Sequence, residues 1–405
     1  MVKYSSFLLE AMHFIPSKKE EEQLSALVHN LLRKIRVPHA QVILGGSGAK
    51  GTWLAGTHDI DIYVKFDYAT YHEKSDQLAD LLENYLKKTF KKMERLHGSR
   101  DYFQVQEQGF TIEIVPILHI TKASQAKNIT DVSQLHVAYV KKHSTEKLRN
   151  DIRKAKAFCK AAGVYGAESY IQGFSGYLVE LLVIHYGGFE RFVRNAARWK
   201  EKTEIGKQKD IMCLNPAKKI SPLIFLDPVD SSRNAAAALS EEKYQELMHR
   251  CKQYMKNKRK ETFFIVPPFD LATIKKKFNF VLVYDVKEKG KRDVVGAMLR
   301  KRFEQITHQL EHHEFIIKNK GWYWDESSHK VYYYFQLKAT TLSATKEIPG
   351  PPVHMQKEAQ SFKKAHTKTF ARKGKLYAVE KRRVRTPDLI RRPFDSHSLR
   401  FVGSR

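Results

Sequence analysis

Cysteine is scarce in this chain of 405 residues, which has three in all: Cys159, Cys213 and Cys251. They lie far apart and form no C-x-x-C pair, so the sequence indicates neither a disulfide framework nor a zinc site. Long apolar runs are missing too. The richest one, residues 177–189, is interrupted by Glu180, and the apolar N-terminus is interrupted by Glu10. We therefore expect no membrane span and no signal peptide, and hence a cytoplasmic protein.

Negative charge is also in short supply. The chain has 72 lysines and arginines against 44 acidic residues, a net charge of +28. Residues 1–150 carry a net charge of only +4, whereas residues 340–405 alone carry +11. A nearly balanced first third followed by strongly basic segments is typical of an enzyme that holds a large polyanion across its later domains. The charge distribution therefore favours a nucleic acid as the partner.

One segment, residues 44–66, combines two features that bear on chemistry. Its sequence, LGGSGAKGTWLAGTHDIDIYVKF, predicts a strand, a glycine-rich turn, a short helix and a second strand. Asp59 and Asp61 lie two residues apart on that second strand, so they share one face, and paired carboxylates suit Mg²⁺. The small residues at Gly46 and Ser47 leave backbone N–H groups free to receive a phosphate. Together these features predict transfer of a nucleotidyl group.

A third carboxylate, Glu113, lies in the otherwise apolar strand of residues 110–116, which follows a hairpin turn predicted at Gln108-Gly109. Burying a carboxylate between isoleucines is costly without a partner, and a cation shared with Asp59 and Asp61 would remove that cost. The alternative is a strand with one face in solvent. A phosphoryl-transfer site with two metal ions needs such a third carboxylate, both as a ligand and as the partner of the attacking hydroxyl.

The rest of the pattern predicts an α+β architecture. A capping box at Ser17 and Glu20 begins a first helix, and residues 72–95 predict a second one. Residues 149–261 have mainly helical periodicity, with Ser240 as an N-cap. From residue 263 the order is β-α-β-β, similar to part of an RRM or ferredoxin-like layer. The aromatic residues of these strands either stack on bases or pack in a core. The basic tail that follows either contacts phosphates or is solvated and disordered.

Longer segments carry a family resemblance. Residues 46–64, GSGAKGTWLAGTHDIDIYV, resemble the signature of the DNA polymerase beta-like nucleotidyltransferases. The segments VYGAE and GFSGYL, within residues 156–190, and DPVDSSRNAAAALS, residues 227–240, are similar to the archaeal-type (class I) CCA-adding tRNA nucleotidyltransferases. The resemblance is spread over nearly the whole chain. It implies a polymerase-beta-like palm, a helical central domain, an RRM or ferredoxin-like region and a basic C-terminal tail domain.

The resemblance also implies roles for individual residues. It implies that Asp59, Asp61 and Glu113 are catalytic and ligate two Mg²⁺ ions, with glutamate in place of the family's usual third aspartate. The implied contacts to the triphosphate of ATP or CTP are at Gly46, Ser47, Lys50, His136, Lys156 and Tyr165. Arg233 is implied to recognise the incoming base. On the residues alone, the two lysines could instead be exposed cations, His136 a residue on a helix face, and Tyr165 a core residue.

The implied organisation is a catalytic palm over residues 1–148, a helical nucleotide-binding domain over 149–262 and a basic tRNA-binding region over 263–405. The implied activity is template-independent addition of CCA to tRNA, with release of pyrophosphate and with the acceptor stem and its adjoining arm as the bound parts. Two alternatives stay open: a poly(A)- or oligoadenylate-type polymerase, and an RNA-binding protein whose catalytic site has decayed. A monomer and a homodimer are equally compatible with the sequence.

Overall fold

The computed structural model describes residues 14–287, 290–389 and 399–404. It divides the chain into two units, of which unit 1 ends at Pro267 and unit 2 begins at Pro268. Each unit has its own sheets and its own hydrophobic core. Over the described ranges, no helix has both the length and the apolar composition that a bilayer crossing requires.

Unit 1 begins with a five-stranded sheet whose order is β1-β2-β5-β4-β3. Strands β2 and β5 are parallel and the other pairs are antiparallel, so the sheet is mixed. The strands are β1 (Ala40–Leu44), β2 (Asp59–Phe66), β3 (Glu94–Leu96), β4 (Tyr102–Glu107) and β5 (Phe110–Leu118). The helices among them are α1 (Lys18–Lys34), α2 (Gly46–Lys50), α3 (Tyr68–Tyr71) and α4 (Leu78–Thr89).

One face of this sheet is the core of the domain. Alternate residues of β2 and β5 point to it, and they pack with leucines of α1 and α4 in a continuous buried cluster. Among the buried strand residues are Ile60, Ile62, Ile112 and Ile114. Because side chains alternate along a strand, the residues between these isoleucines must point to the opposite face. That opposite face carries the predicted acidic residues.

Several local predictions are confirmed. Ser17 and Glu20 form a capping box at the start of α1. Gln108 and Gly109 both have positive φ, 54° and 81°, as a type I′ hairpin turn requires. The helix predicted over residues 72–95 was wrong in its extent. A 3₁₀ segment replaces its first turns, and α4 ends at Thr89 because Phe90 is extended.

A buried ion pair fixes the chain after β5. Arg100 and Asp131 are almost fully buried and bind each other, and Asp131 also accepts hydrogen bonds from the backbone N–H of Leu118, 2.9 Å, and of Asn128, 3.0 Å. The Arg100 guanidinium donates to Ser75 in the 3₁₀ segment as well. This network holds the end of β5 against the loop that leads into the next helix, and so it orients that helix.

The second half of unit 1 is mainly helical, as predicted, but it also contains a three-stranded sheet of order β6-β7-β8 that the sequence pattern did not reveal. The helices are α5 (Ser133–His143), α6 (Glu146–Ala161), α7 (Gly176–Tyr186), α8 (Phe189–Ala196), α9 (Gln208–Cys213) and α10 (Glu241–Lys256). The strands are β6 (Thr203–Ile205), β7 (Leu223–Asp227) and β8 (Asp230–Asn234). Ser240 is the N-cap of α10, as predicted.

Unit 2 contains the predicted β-α-β-β order, in a sheet of order β10-β11-β9-β15. The elements are α11 (Leu271–Lys277), β9 (Phe280–Val286), α12 (Arg292–His312), β10 (Ile317–Asp325), β11 (Lys330–Leu337) and β15 (Leu399–Ser404). Its aromatic residues divide between the two faces. Tyr333 and Phe335 are buried in the core with α12, whereas Tyr323 is 39% exposed and stacks on Phe269 at a centroid distance of 4.1 Å.

The basic tail forms a second small sheet of unit 2, of order β12-β14-β13. Its elements are β12 (Thr345–Pro352), α13 (Gln356–Ala365), β13 (Thr369–Arg372) and β14 (Lys375–Lys381). Leu376 and Ala378 on the central strand are buried. The tail is therefore folded through residue 389, which excludes the alternative of a disordered segment for this part of the chain.

Candidate active site

Three carboxylates lie on the open face of the five-stranded sheet. Strands β2 and β5 are adjacent and parallel, and Asp61 is paired in register with Glu113, while Asp59 is paired with Thr111. Residues in register on adjacent strands point to the same side, so Asp61 and Glu113 are neighbours and Asp59 lies two residues along on the same face. Asp59 is exposed, and the other two are partly buried. The pairing of β2 with β5 therefore places these three residues on one face of the sheet.

The glycine-rich turn lies directly against Asp61. The Gly45 N–H donates to the Asp61 carbonyl oxygen at 2.7 Å, and the Gly46 N–H donates to the hydroxyl of Tyr63 at 3.2 Å. Gly46 has a φ of +51°, and a Cβ atom at this position would lie 1.6 Å from Asp61 Oδ2. Only glycine fits, both because of its φ and because of the carboxylate. The next residue, Ser47, makes no side-chain hydrogen bond within the described residues, so its hydroxyl can serve a ligand.

This close approach leads to a prediction for Gly46→Ala. The added methyl group must displace the Asp61 carboxylate, and we expect kcat to fall by roughly a hundredfold, the scale of a 1 Å misplacement of a reacting group. Gly56→Ala is the matched control, because Gly56 also has a positive φ, +68°, but no atom within 4 Å of an added Cβ. Steady-state incorporation of labelled nucleotide by both variants tests this. Equal activity of the two would show that contact with Asp61 is irrelevant.

The pKa of the Asp61 carboxyl is set by opposing effects of burial and of neighbouring charges. Burial raises the pKa of its carboxyl, and the negative charge of Asp59 raises it further, while Lys50 and Lys156 oppose these effects. The net result is a pKa above the ordinary value of 3.8. A carboxylate with a raised pKa beside a second carboxylate is a position that gains from a bound cation, because the cation compensates both the burial and the repulsion.

The open face therefore fits a divalent cation by its chemistry, since it gathers hard oxygen donors beside a like charge. Within the residues that the structure describes, no three acidic, histidine or cysteine side chains already form a set that could hold a metal ion by themselves. This is compatible with Mg²⁺, which is usually held by one or two carboxylates together with phosphate oxygens of the substrate and water, rather than by a cage of protein ligands.

Two of the predicted phosphate-binding lysines meet at a buried glutamate. Lys156 is 2% exposed and donates to Glu180 Oε1 at 2.8 Å, and Lys50 donates to Glu180 Oε2 at 2.9 Å. The Thr52 hydroxyl donates to the same carboxylate at 2.6 Å. Burial alone would raise the pKa of Glu180, but the two lysines and Thr52 outweigh burial and bring it to about 2. Lys156 is thus no exposed cation, and Glu180 is its ionised partner.

Two further predicted residues meet at Asp227. His136 Nε2 lies 3.1 Å from Asp227 Oδ2, and Arg233 donates to the same oxygen at 2.6 Å. The Tyr177 hydroxyl donates to the other oxygen, Oδ1, at 3.0 Å. Asp227 thus clamps Arg233. Arg233 Nε and the second terminal nitrogen make no hydrogen bond within the described part of the chain, so that edge is available to a ligand.

Tyr177 connects the two groups. Its ring stacks on His136 at a centroid distance of 3.9 Å, and Lys50 lies over the same ring at 5.3 Å. Tyr165 lies near Lys156, because its hydroxyl and Lys156 Cε both border Gly176, the first residue of α7. The structure thus brings together Lys50, His136, Lys156, Tyr165 and Arg233. Tyr177 and Glu180 were not predicted, although a glutamate inside an apolar helix is the same signal that identified Glu113.

Arg233 borders an open cavity of about 520 Å³. Much of its wall consists of small apolar side chains, and the polar residues Ser175, Lys218 and Asp230 lie around it. The alanine side chains leave room for a flat ring in this space, and Arg233 is part of its wall. The alanines are Ala123, Ala126, Ala167, Ala235, Ala237 and Ala238.

Comparison with known protein families divides the chain into three consecutive matches. Residues 28–147 match the model of a nucleotidyltransferase domain. Residues 150–264 match the second domain of tRNA nucleotidyltransferases, and residues 279–399 match the C-terminal domain of CCA-adding enzymes. The carboxylate face lies within the first match and the Lys156–Glu180 and Asp227–Arg233 pairs within the second.

Curated proteins give the same result over longer stretches. The CCA-adding enzyme of Nanoarchaeum equitans is 32% identical over 401 residues, which cover 96% of this chain and 97% of that protein. The CCA-adding enzyme of Methanosarcina acetivorans is 33% identical over 353 residues, covering 85% and 76%. The CCA-adding enzyme of Sulfurisphaera tokodaii is 30% identical over 381 residues, covering 93% and 88%.

Solved structures share the fold at lower similarity. A crystal structure of the Cid1 poly(U) polymerase with bound Mg 3′-dATP superposes with a TM-score of 0.50 and 14% sequence identity. The match covers 65% of this chain and 99% of that one. At this identity it supports a common nucleotidyltransferase fold and nothing about the substrate.

Proposed function

The chain belongs to the family of CCA-adding enzymes, and we therefore propose that it completes the 3′ end of tRNA by adding C, C and A without a nucleic-acid template. CTP and ATP are the proposed donors, and pyrophosphate is the second product. The observation that carries the proposal is the register of β2 and β5, which places Asp61 beside Glu113, while Asp61 also lies against the turn at Gly46.

The reaction that this site supports is an in-line displacement. The 3′-hydroxyl oxygen of the RNA forms a bond to the α-phosphorus, and the bond from that phosphorus to the bridging oxygen of pyrophosphate breaks. We assign Glu113 as the acceptor of the hydroxyl proton. Asp59, Asp61 and Glu113 would hold two Mg²⁺ ions, and when bound these ions supply the positive charge that a transferring phosphoryl group needs.

The triphosphate has a complementary surface on the same side. Ser47 offers a hydroxyl group. Lys50 offers an ammonium group, which its ion pair with the buried Glu180 carboxylate holds in place. Lys156 and Tyr165 complete this group from α6 and the following loop, with His136 on α5. A phosphate chain bound here would lie between a palm and a helical domain. We therefore propose a palm over residues 1–148 and a helical nucleotide-binding domain over residues 149–262.

Base recognition is assigned to Arg233. A guanidinium only donates hydrogen bonds, and the ring nitrogen on the Watson–Crick edge is an acceptor in cytosine and adenine but a protonated donor in uracil and guanine. Arg233 would thus accept C and A and disfavour U and G. Asp227 orients it, at 2.6 Å, while the alanine-lined cavity leaves space for either a pyrimidine or a purine.

This assignment makes a prediction for Arg233→Ala. We expect kcat/KM for CTP and ATP to fall by roughly ten- to a hundredfold, the range for loss of a charged hydrogen bond to a base. The value for UTP should change much less, so that selectivity is lost. Single-nucleotide incorporation with each of the four triphosphates measures this. Arg250→Ala removes an arginine of α10 that lies over the ring of Phe263, and it should keep the preference. Unchanged selectivity in Arg233→Ala would exclude the assignment.

The overall activity is tested with a tRNA transcript that lacks its last three nucleotides. Incubation with labelled CTP and ATP should extend it by three residues and then stop, as read on a denaturing gel. A poly(A)- or oligoadenylate-type polymerase would extend it with ATP alone and beyond three residues. No incorporation with both nucleotides would instead indicate an RNA-binding protein. The basic region of residues 263–405, of which residues 268–405 form unit 2, is proposed to bind the acceptor stem and its adjoining arm.

A further inference from the structure

One apolar residue in the wall of the cavity beside Arg233 has no role in the assignments made so far. Ile129 lines this cavity, together with its neighbours Asn128 and Val132. They belong to a 3₁₀ segment, Ile129–Val132, and to its N-cap, which lie between β5 and α5. Arg233 borders the same cavity from β8. Two parts of unit 1 that are distant in the sequence therefore form one wall.

Ile129 is open to solvent although it is apolar. Its side chain is 57% exposed, whereas Val132 in the same segment is 4% exposed. A single exposed isoleucine is ordinary on a protein surface. Here, however, the exposed residue borders a cavity of about 520 Å³ whose other apolar residues are Val132 and six alanines. Ile129 is therefore the largest apolar side chain in this wall, and a ligand in the cavity could cover it.

The backbone around Ile129 is fixed. The Asn128 side chain accepts a hydrogen bond from the backbone N–H of Thr130 at 3.0 Å and donates one to the Ser99 carbonyl oxygen at 2.7 Å. Asp131 is fully buried and belongs to the ion pair that fixes the chain after β5. The segment is thus held in place before any ligand arrives, and binding has no ordering cost to meet there.

The composition of the wall favours a nucleobase over two other kinds of ligand. A wholly apolar ligand would place an apolar group against the Arg233 guanidinium, which is costly because a charged group would lose water without gaining an acceptor. A free phosphate would gain nothing from Ile129 and the alanines. A base combines a flat ring face, which suits an aliphatic side chain, with ring acceptors, which suit a guanidinium.

We propose that Ile129 packs against the face of the incoming base while Arg233 meets its edge. The inference rests on the proposed function and deepens it. Isoleucine has no hydrogen-bonding group, so this contact does not distinguish one base from another by the donors and acceptors of its edge. Ile129 thus contributes affinity for every nucleotide, whereas the selectivity for C and A comes from Arg233.

The test is the affinity of the full-length Ile129→Ala variant for nucleotides in the absence of RNA. We expect the Kd for CTP and for ATP to rise roughly five- to tenfold, the scale of losing one to two buried methylene groups. Ile129→Val keeps most of the side chain and should lose much less affinity. The preference for CTP over UTP in single-nucleotide incorporation should be unchanged in both variants. Isothermal titration calorimetry gives the Kd, and thermal unfolding verifies that the variants are folded.

Ile316→Ala is the matched control, because Ile316 is 58% exposed but lies in unit 2, and it should leave the Kd unchanged. The inference is wrong if Ile129→Ala binds both nucleotides as tightly as the wild type, if the control loses as much affinity, or if Ile129→Ala loses its preference for CTP over UTP. A rise confined to the apparent KM for tRNA would also overturn it, because the RNA end would then be the occupant. A wild type that binds both nucleotides but extends no tRNA would contradict the proposed function without affecting the comparison of Kd values.

Discussion

Asp61→Asn is expected to lower kcat by at least about a thousandfold while making the enzyme without metal more stable. The amide keeps the size of the side chain, but it removes one of the two neighbouring charges of Asp61 and Glu113 and the repulsion by Asp59. Catalysis falls because the charge that would hold divalent cations at the reacting phosphate is lost, and such electrostatic groups are worth several kcal/mol. Stability rises because a partly buried carboxylate that neighbours another carboxylate is unfavourable in the empty site.

Incorporation assays and thermal unfolding in the presence of a chelator measure the two effects. Magnesium should stabilise the wild type and have little effect on the variant. Glu94→Gln, on the edge strand β3 of the same sheet, is the control and should change neither quantity appreciably. Retention of more than a tenth of the wild-type kcat by Asp61→Asn would contradict the assignment of the carboxylate face as the active site.

Glu180→Ala is expected to lower the free energy of unfolding of unit 1 by about 3–5 kcal/mol, because it leaves Lys156 as a buried charge without its partner. Glu180→Gln should cost less, since its amide oxygen still accepts from Lys156 and Thr52. The pKa of Glu180 is about 2, below the ordinary 4.5, so its contribution is complete above pH 4.5 and is lost as the pH falls towards 2. The difference between the wild type and Glu180→Gln should therefore narrow in acid.

Hydrogen exchange of the peptides from α6 and α7, followed by mass spectrometry at neutral pH and at about pH 3, reports this free energy locally. Glu107→Ala is the control, because Glu107 forms an exposed pair with Lys34 at 3.2 Å, and such pairs contribute less than about 1 kcal/mol. If these peptides are as well protected from hydrogen exchange in Glu180→Ala as in the wild type, the ion pairs with Glu180 are not what holds Lys50 and Lys156 in place.

The local elements of the site could be predicted because their signals are short-range. Asp59 and Asp61 share one face because side chains alternate along β2, and the hairpin at Gln108-Gly109 follows from turn chemistry. The capping box of α1 and the N-cap of α10 depend on three or four adjacent residues. In each case the residues that interact lie within a few positions of one another in the sequence.

Other parts depend on long-range contacts and could not be predicted. Lys50 and Glu180 are separated by 130 positions, and only the packing of α7 on α6 shows that one carboxylate serves two lysines. The same holds for His136 and Asp227, which are 91 positions apart. The strands of the tail were missed for a different reason: prolines in β12 and the many lysines conceal the alternation that marks a strand.

Glu113 is the third carboxylate of the proposed site, and its role tests the account most directly. Binding of Mn²⁺ to the full-length protein with a non-hydrolysable CTP analogue, followed by electron paramagnetic resonance, counts the ions and needs no turnover. We predict two bound ions for the wild type and a loss of affinity or of one ion for Glu113→Gln. Binding by Glu113→Gln with the same number of ions and the same affinity as the wild type would contradict a site formed by all three carboxylates.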